Sequence, residues 1–282
     1  MKKVVRMLGL CALVALAFTA CKKNETNSVT FKASMPTIND ASRTHVNGAL
    51  GSYWLEWNDG DAIKVVDENG DSMPFTLTTN NGATAEFHVE GSEACDFLAN
   101  LETAPYVAFY PNAVYTKGDT VVKMEIPAEQ NIVGGFNFAN QLYPMVGINT
   151  GTNFQFDSNA GFLYIPFSVR EGTTVTIDRV VLTSKTEEAL SGYMVYNLDG
   201  TFKEFNGTGN VITATWAEPQ EVNQFATTDL TFVLPAGVLA GGFTVEVFNG
   251  DNPQPVVTYE TINPVNVILA KTYREMPQMQ LN

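Results

Sequence analysis

Apolar residues come in short runs along this chain, and many runs alternate with polar residues at a period of two. The runs are rich in Val, Thr, Phe and Tyr, and Gly, Asn, Asp or Pro separates them at intervals of roughly 8–12 residues. This pattern is typical of antiparallel strands that bury one face, so we predict an all-β protein. The predicted strands are Ala62 to Val66, Met73 to Leu77, Ala83 to Val89, Tyr106 to Tyr110, Val121 to Ile126, Phe162 to Val169, Val175 to Thr183, Val211 to Trp216, Leu230 to Leu234 and Phe243 to Phe248.

The turns and one central stretch suggest how these strands are organised. Tight hairpins are expected at Asn69-Gly70, Asn81-Gly82 and Asp199-Gly200. Gly147 to Asn153 is small, polar and rich in glycine, so we place a domain boundary at residue 150. Two antiparallel β-sandwich domains in tandem are then expected, over residues 21–150 and 151–282, because short strands must bury one face against a second sheet. A single large sandwich is the alternative.

One segment near the start alternates without an error. Its apolar side chains are Val29, Phe31, Ala33 and Met35, and its polar side chains are Thr30, Lys32 and Ser34. We predict an amphipathic strand here. The following stretch, 36–51, has Pro, Asn, Asp, Ser and Gly with little pattern, and Arg43 stands in its middle before Thr44. An exposed loop of this kind is where a protease binds an extended substrate.

Residues 1–20 have the pattern of a secretory leader. A positive beginning with Lys2, Lys3 and Arg6 precedes a short apolar run from Met7 to Ala17. The ending Phe18-Thr19-Ala20-Cys21 resembles a bacterial lipobox, although Phe18 stands where Leu is usual. We expect cleavage between Ala20 and Cys21 and acylation of the Cys21 thiol, which would anchor the mature protein to a membrane. An ordinary secretory cut beside a chance cysteine is the alternative.

Composition excludes several classes of function. The 282 residues carry 30 acidic and 16 basic side chains, a formal net charge of −14, which argues against a nucleic-acid surface. Two histidines and three scattered cysteines provide little material for a metal site, so we predict no metal and no cofactor. With Cys11 in the leader and Cys21 acylated, Cys95 has no partner for a disulfide, and a buried structural thiol is the expectation.

Several sequence blocks resemble the fimbrillin family, the lipoprotein pilins of the Bacteroides group. The most specific block is Trp57-Asn58-Asp59-Gly60-Asp61-Ala62-Ile63, in which we expect Trp57 and Ile63 to be buried and Gly-Asp to make a turn. The weaker blocks are the Val29–Met35 strand, Ser42-Arg43-Thr44, Phe109-Tyr110-Pro111, Ile126-Pro127-Ala128-Glu129-Gln130, Tyr143-Pro144-Met145-Val146 and Leu234-Pro235-Ala236-Gly237. The resemblance runs over nearly the whole mature chain.

The resemblance implies transthyretin-like sandwich domains and export as a lipoprotein to the cell surface and outer membrane. It also implies fimbriae that serve adhesion to an unknown ligand and have other fimbrial subunits as partners. In polymerising members a protease removes the first strand, and Arg43–Thr44 matches that cleavage site. A strand of the next subunit then fills the vacated groove. The family places this donor in the C-terminal segment. From the sequence, Thr272 to Leu281 is either a donor or the last strand of its own sheet, and in the latter case the chain is a tip or accessory subunit.

Two other classes of function are weighed against this one. A glycosidase needs two facing carboxylates, for which Asp59, Asp61, Glu86 and Glu90 are candidates, but no spacing selects a pair. His45 and His88 accompany no Gly-x-Ser-x-Gly elbow, so we predict that the protein is not an enzyme. A surface lipoprotein that binds glycans through aromatic side chains is the other alternative. Asp67, Asn69 and Asp71 have the spacing of a calcium loop, but a hairpin turn explains them better.

Overall fold

The computed structural model describes most of the chain. The described residues are 28–36, 39–40, 55–90, 97, 105–111, 113–134, 137–138, 142–149, 153–237, 239–250, 252–261, 272–276 and 278–281. The elements formed by these residues confirm the all-β class, and a sandwich arrangement fits the sheets. Within the same ranges, the chain forms no helix that has the length and apolar character needed to cross a membrane.

Seven strands between residues 28 and 157 close into a barrel. Their order around the barrel is β1, β11, β10, β6, β3, β4 and β5, and β5 returns to β1. The bounds are β1 Ser28–Ser34, β3 Ala62–Val66, β4 Ser72–Asn81, β5 Thr84–Glu90, β6 Tyr106–Tyr110, β10 Met145–Asn149 and β11 Asn153–Asp157. A closed barrel leaves no free sheet edge, so each of its strands has a neighbour on both sides.

The remaining strands form three further sheets. The first contains β17 (Thr228–Pro235), β12 (Ala160–Val169), β20 (Thr272–Glu275) and β2 (Asn39–Asp40) in that order, with β21 (Met279–Leu281) also paired to β12. The second has the order β19 (Val257–Glu260), β18 (Phe243–Phe248), β13 (Thr174–Ser184), β16 (Val211–Asn223), β8 (Glu129–Gly134) and β9 (Asn137–Phe138). The third has the order β15 (Phe202–Gly209), β14 (Ser191–Asn197) and β7 (Val121–Ile126).

The sheet that contains β12 lies between two hydrophobic cores. Leu163, Ile165 and Phe167 point into the second core together with residues of β13, β16 and β18. The alternate residues Phe162 and Tyr164 belong to the barrel-side core. Strand β12 is buried on both faces, which is why its sequence reads as a continuous apolar run.

Gln130, near the start of β8, joins that strand to the sheet that contains β12 and β17. Its side chain is 2% exposed, and its amide donates to the carbonyl oxygen of Val233 (2.9 Å) and accepts from the Val233 N–H (3.0 Å). These two bonds satisfy the backbone N–H and C=O of Val233 in β17, as a neighbouring strand would. The glutamine of the Ile126–Gln130 block therefore has a structural role.

Both sides of the predicted boundary at residue 150 are linked by strand pairing. Strand β11 lies just beyond it and pairs with β10 and β1, while β8 lies before it and pairs with β16. The division at residue 150 stays a prediction.

Glu188 holds two loops of the second core together. Its carboxylate accepts hydrogen bonds from the hydroxyl groups of Ser184 and Thr186 and from the Ala240 N–H (2.8 Å). Thr186 in turn accepts a bond from the Gly241 N–H (3.0 Å). The two hydroxyl bonds are the main reason that the pKa of Glu188 falls from 4.5 to about 2.

We predict that Glu188→Gln lowers stability at neutral pH but not in strong acid. The folded-state pKa lies below the unfolded value, so the ionised carboxylate contributes stability above about pH 4.5 that is lost as the pH falls towards 2. Thermal unfolding of the wild type and variant between pH 7 and pH 2 measures this. The gap in melting temperature should close across that window, and a gap independent of pH would contradict the assignment. Glu187→Gln, at the neighbouring exposed residue, is the matched control.

Candidate strand-binding site in the barrel

Strand β1 is hydrogen-bonded on both sides within the barrel. It pairs antiparallel with β5 along its whole length, from Ser28 opposite Glu90 to Ser34 opposite Thr84. On its other side it pairs in parallel with β11, from Lys32 opposite Asn153 to Ser34 opposite Gln155. The two neighbours fix both the direction and the register of whatever strand lies between them.

The side chains of β1 follow the predicted alternation. Phe31 and Ala33 are 0% and 1% exposed inside the barrel, and Val29 and Met35 are partly buried against the same core. Thr30 and Lys32 face outward. Because one face of β1 is apolar and the other is polar, a shift of its pairing register by one residue would place polar groups in the core.

Phe31 sits in an aromatic pocket. Its ring centroid lies 4.9 Å from that of Phe75, 4.8 Å from that of Phe154 and 6.4 Å from that of Tyr106. Edge-on and tilted contacts of this kind add about 0.5–1.5 kcal/mol each to the burial of the rings. Phe31 is therefore the main side chain by which β1 is held.

The Trp57 block forms a neighbouring aromatic cluster inside the barrel. The ring of Trp57 lies 4.8 Å from Phe87, 5.3 Å from Tyr110 and 5.3 Å from Phe156. Gly147 leaves space for two of the barrel's aromatic side chains, because a Cβ there would approach Phe154 Cβ to 3.1 Å and the Phe156 ring to 3.2 Å.

The Trp57 block has the structural role that the sequence predicted. Trp57 and Ile63 are 2% and 1% exposed, and Gly60 has φ +90°. The carboxylate of Asp61 accepts bonds from the Asn58 N–H (2.8 Å) and the Tyr110 hydroxyl (2.9 Å). Burial raises the pKa of Asp61, while these two bonds partly offset the rise. Sequence reasoning expected the turn but missed the bond between Asp61 and Tyr110.

Other residues singled out as chemical candidates have ordinary structural partners. Glu86 faces Lys32 across the β1–β5 pair at 3.8 Å, Asp59 is exposed, and His88 contacts the Thr30 hydroxyl at 3.2 Å. Asp67 accepts the backbone N–H groups of Asn69 (3.0 Å) and Asp71 (2.7 Å), as a hairpin turn requires. Among the described residues there is no cluster of His, Cys, Asp and Glu with the arrangement of a metal site.

The C-terminal segment lies in its own sheet. Strand β20 pairs in parallel with β12 on one side and with β2 on the other, and β21 continues along β12 from Phe167 opposite Met279. The Met276 N–H donates to the Tyr164 carbonyl oxygen at 2.9 Å. A donor role of this segment for a neighbouring subunit stays a prediction.

Several predicted site residues lie outside the described ranges. They are Ala20, Cys21, Arg43 and Thr44, together with His45 and Cys95. The side chain of Glu90 is also outside the description. Acylation at Cys21 and cleavage after Arg43 therefore remain predictions.

Strand β11 was missed from sequence, although its signal was present. Phe154 and Phe156 alternate with Asn153, Gln155 and Asp157, and both rings are 1% exposed. The alternation was overlooked because the stretch begins within the predicted domain boundary. The parallel pairing of β11 with β1 has no local sequence signal at all.

The fold is similar to that of solved proteins from the Bacteroides group. A candidate cell adhesion protein from Bacteroides ovatus has TM-score 0.53 and 14% identity, with 89% of this chain and 92% of that one covered. A candidate cell adhesion protein from Bacteroides uniformis has TM-score 0.46 and 11% identity, with 88% and 92% covered. A fimbrial assembly protein from Parabacteroides distasonis has TM-score 0.36 and 11% identity, with 88% and 90% covered.

The first of these neighbours is described as a cell adhesion protein. At 14% identity, the first of them shows the fold and nothing further. No family model matches the sequence, and no curated protein does so either.

We predict that Phe31→Ala destabilises the protein by about 3–5 kcal/mol, the usual cost of truncating a fully buried phenylalanine. Removal of the Phe31 ring leaves a cavity between Phe75 and Phe154 that the barrel cannot fill. Urea unfolding at neutral pH measures the loss. Lys32→Ala, on the outward face of the same strand, is the control and should change stability by less than about 0.5 kcal/mol. Equal effects of the two substitutions would contradict the burial of one face.

Proposed function

We propose that this chain is a cell-surface fimbrial subunit, exported as a lipoprotein anchored at Cys21 and assembled by protease-triggered strand exchange. In this proposal the two hydrophobic cores belong to two transthyretin-like sandwich domains. Adhesion is the cellular purpose, and the partners are other fimbrial subunits. The cell adhesion and fimbrial descriptions of the structural neighbours support this class of function.

The observation that carries the proposal is the position of β1 between β5 and β11. Loss of this strand would leave unpaired backbone groups on both neighbours and an apolar slot where Phe31 and Ala33 had been. An open slot of this kind is a template for an added strand. Each apolar side chain that refills it would contribute about 1.5–3 kcal/mol before the cost of ordering the incoming strand.

The placement of the other arginines supports Arg43 as the cleavage site. Arg170 lies in a tight turn closed by a bond from the Thr173 N–H to the Arg170 carbonyl oxygen (3.0 Å). Arg179 and Arg274 lie within β13 and β20. A protease needs a segment that can extend into its cleft, and residues held in strands or tight turns resist this. Arg43 stands in the stretch 36–51, whose sequence predicts no strand.

The proposal assigns the protein no catalytic role. Asp61 and Glu86 have structural partners, Asp59 is exposed and accepts a bond from Asn80, and the structural neighbours are described as adhesion and fimbrial proteins. A glycan-binding lipoprotein that does not polymerise remains the alternative function.

We predict that filaments sheared from cells contain a chain that begins at Thr44. N-terminal sequencing and intact mass measure this. Arg43→Ala should leave the chain full-length and membrane-bound, whereas Arg170→Ala, the matched control in a tight turn, should leave maturation unchanged. Recovery of only full-length, lipidated monomer from the wild type would contradict polymerisation and favour the glycan-binding alternative.

A further inference from the structure

We propose that the strand that refills the β1 slot comes from a different kind of subunit, and that the segment Thr272–Leu281 of this chain stays in its own sheet. This inference rests on the proposed function, because it requires β1 to leave. The partner is an extended strand with a bulky apolar side chain placed two residues before an alanine or a glycine.

The slot selects this order of sizes through its two inner positions. The first position holds Phe31 among the rings of Phe75, Tyr106 and Phe154, so it needs a large apolar side chain. The second holds Ala33, which is 1% exposed and lies opposite Ala85 on β5. A larger group at the second position would meet an interior that is already filled.

The flanking positions are less demanding. Val29 and Met35 are only partly buried, so a strand with other side chains there is still accepted. The backbone partners are stricter, because an incoming strand must run antiparallel to β5 and parallel to β11. Selectivity therefore depends on the two inner side chains and on strand direction.

The segment Thr272–Leu281 does not have the required order. Each seven-residue register of this segment, taken in the direction of β1, places an unsuitable residue at one of the two inner positions. The residues so placed are Arg274 or Glu275 in the position of Phe31, and Gln278 or Met279 in the position of Ala33. A charge in the first position would be buried among aromatic rings without a partner, which is strongly unfavourable.

The same segment is also an integral part of the second core. Met276, Met279 and Leu281 are 5%, 4% and 0% exposed there, and β20 and β21 pair with β12. If the segment left for a neighbour's slot, these side chains would be exposed and β12 would gain a free edge. The segment thus loses more contacts by leaving than it gains in a slot that it fits poorly.

One upstream stretch has the right order of sizes but continues into β20. Ile268 and Ala270 are spaced like Phe31 and Ala33, and Thr272, the first residue of β20, comes two residues after Ala270. Capture of this stretch by a neighbour would place Thr272 at the position of Met35 and draw it away from its pairing with Asn39 in β2. Homotypic exchange through it is therefore disfavoured by the same packing.

Peptide binding to the cleaved chain tests the inference. The full mature chain is cut with an arginine-specific protease, and labelled peptides are titrated into it by fluorescence anisotropy. The peptides are residues 28–35, the same peptide with Phe31→Ala or Ala33→Phe, residues 266–272 and residues 272–281. Size-exclusion chromatography of the cut chain without peptide runs in parallel.

We expect the 28–35 peptide to bind, and each of its two variants to bind about tenfold more weakly or worse. The 266–272 peptide, which has the right order of sizes, should bind as a free peptide. The 272–281 peptide should not compete, and the cut chain alone should stay monomeric because residues 266–272 are joined to β20 in the chain. Binding of the 272–281 peptide as tight as that of 28–35, or multimers of the cut chain cross-linked through its C-terminal segment, would overturn the inference while leaving the proposed function intact. If an excess of the 28–35 peptide does not displace β1 from the cut chain, the proposed function is overturned, and the inference with it.

An uncut variant covers the case in which the cut chain does not stay folded. Phe31→Ala in the full chain weakens the resident strand, so the wild-type 28–35 peptide should displace it without proteolysis. Lys32→Ala is the matched control and should not permit exchange. Equal exchange in the two variants would show that the aromatic pocket does not select the strand, and it would overturn the proposal.

Discussion

The closure of the barrel by β1 is the constraint on which the rest of the structure depends. Because β1 bonds to β5 on one side and β11 on the other, it satisfies backbone groups that would otherwise form two exposed edges. Its inner side chains also complete an aromatic interior to which β4, β6 and β11 contribute. One short segment near the start of the described chain thus completes a core that residues from well over a hundred positions away help to build.

The sequence blocks that resemble the fimbrillin family lie where different strands are connected through side chains. Trp57 anchors one aromatic cluster, and Asp61 ties the turn before β3 to the end of β6 through Tyr110. The Gln130 side chain bonds to the backbone N–H and C=O of Val233, in the sheet between the two cores. Each of these connections needs a particular side chain at a particular place. Such blocks can therefore identify a fold without providing catalytic chemistry.

The sequence predicted those elements whose signal is local. The alternation from Val29 to Met35 is visible in seven residues, and burial of Phe31 and Ala33 follows from it. The neighbours of β1 were not predictable, because parallel pairing with β11 depends on a segment far along the chain that no local pattern links to it. The buried bond of Asp61 was missed for a similar reason, since its partner Tyr110 belongs to another strand. Local propensity predicted the strands, whereas long-range packing determined how they assemble.

A cut in the loop after β1 would not by itself remove the strand. The contacts of Phe31 and the pairing with β5 are the same before and after the peptide bond is broken. What changes is that the strand is no longer held at an effective concentration of about millimolar by its own linker, so the return of a departed strand becomes bimolecular. If Cys21 is acylated, the released segment stays at the membrane while the body of the protein moves away, and rebinding then falls with distance. Strand exchange in this scheme is driven by separation and by competition from a better-placed strand, with proteolysis making the exchange possible.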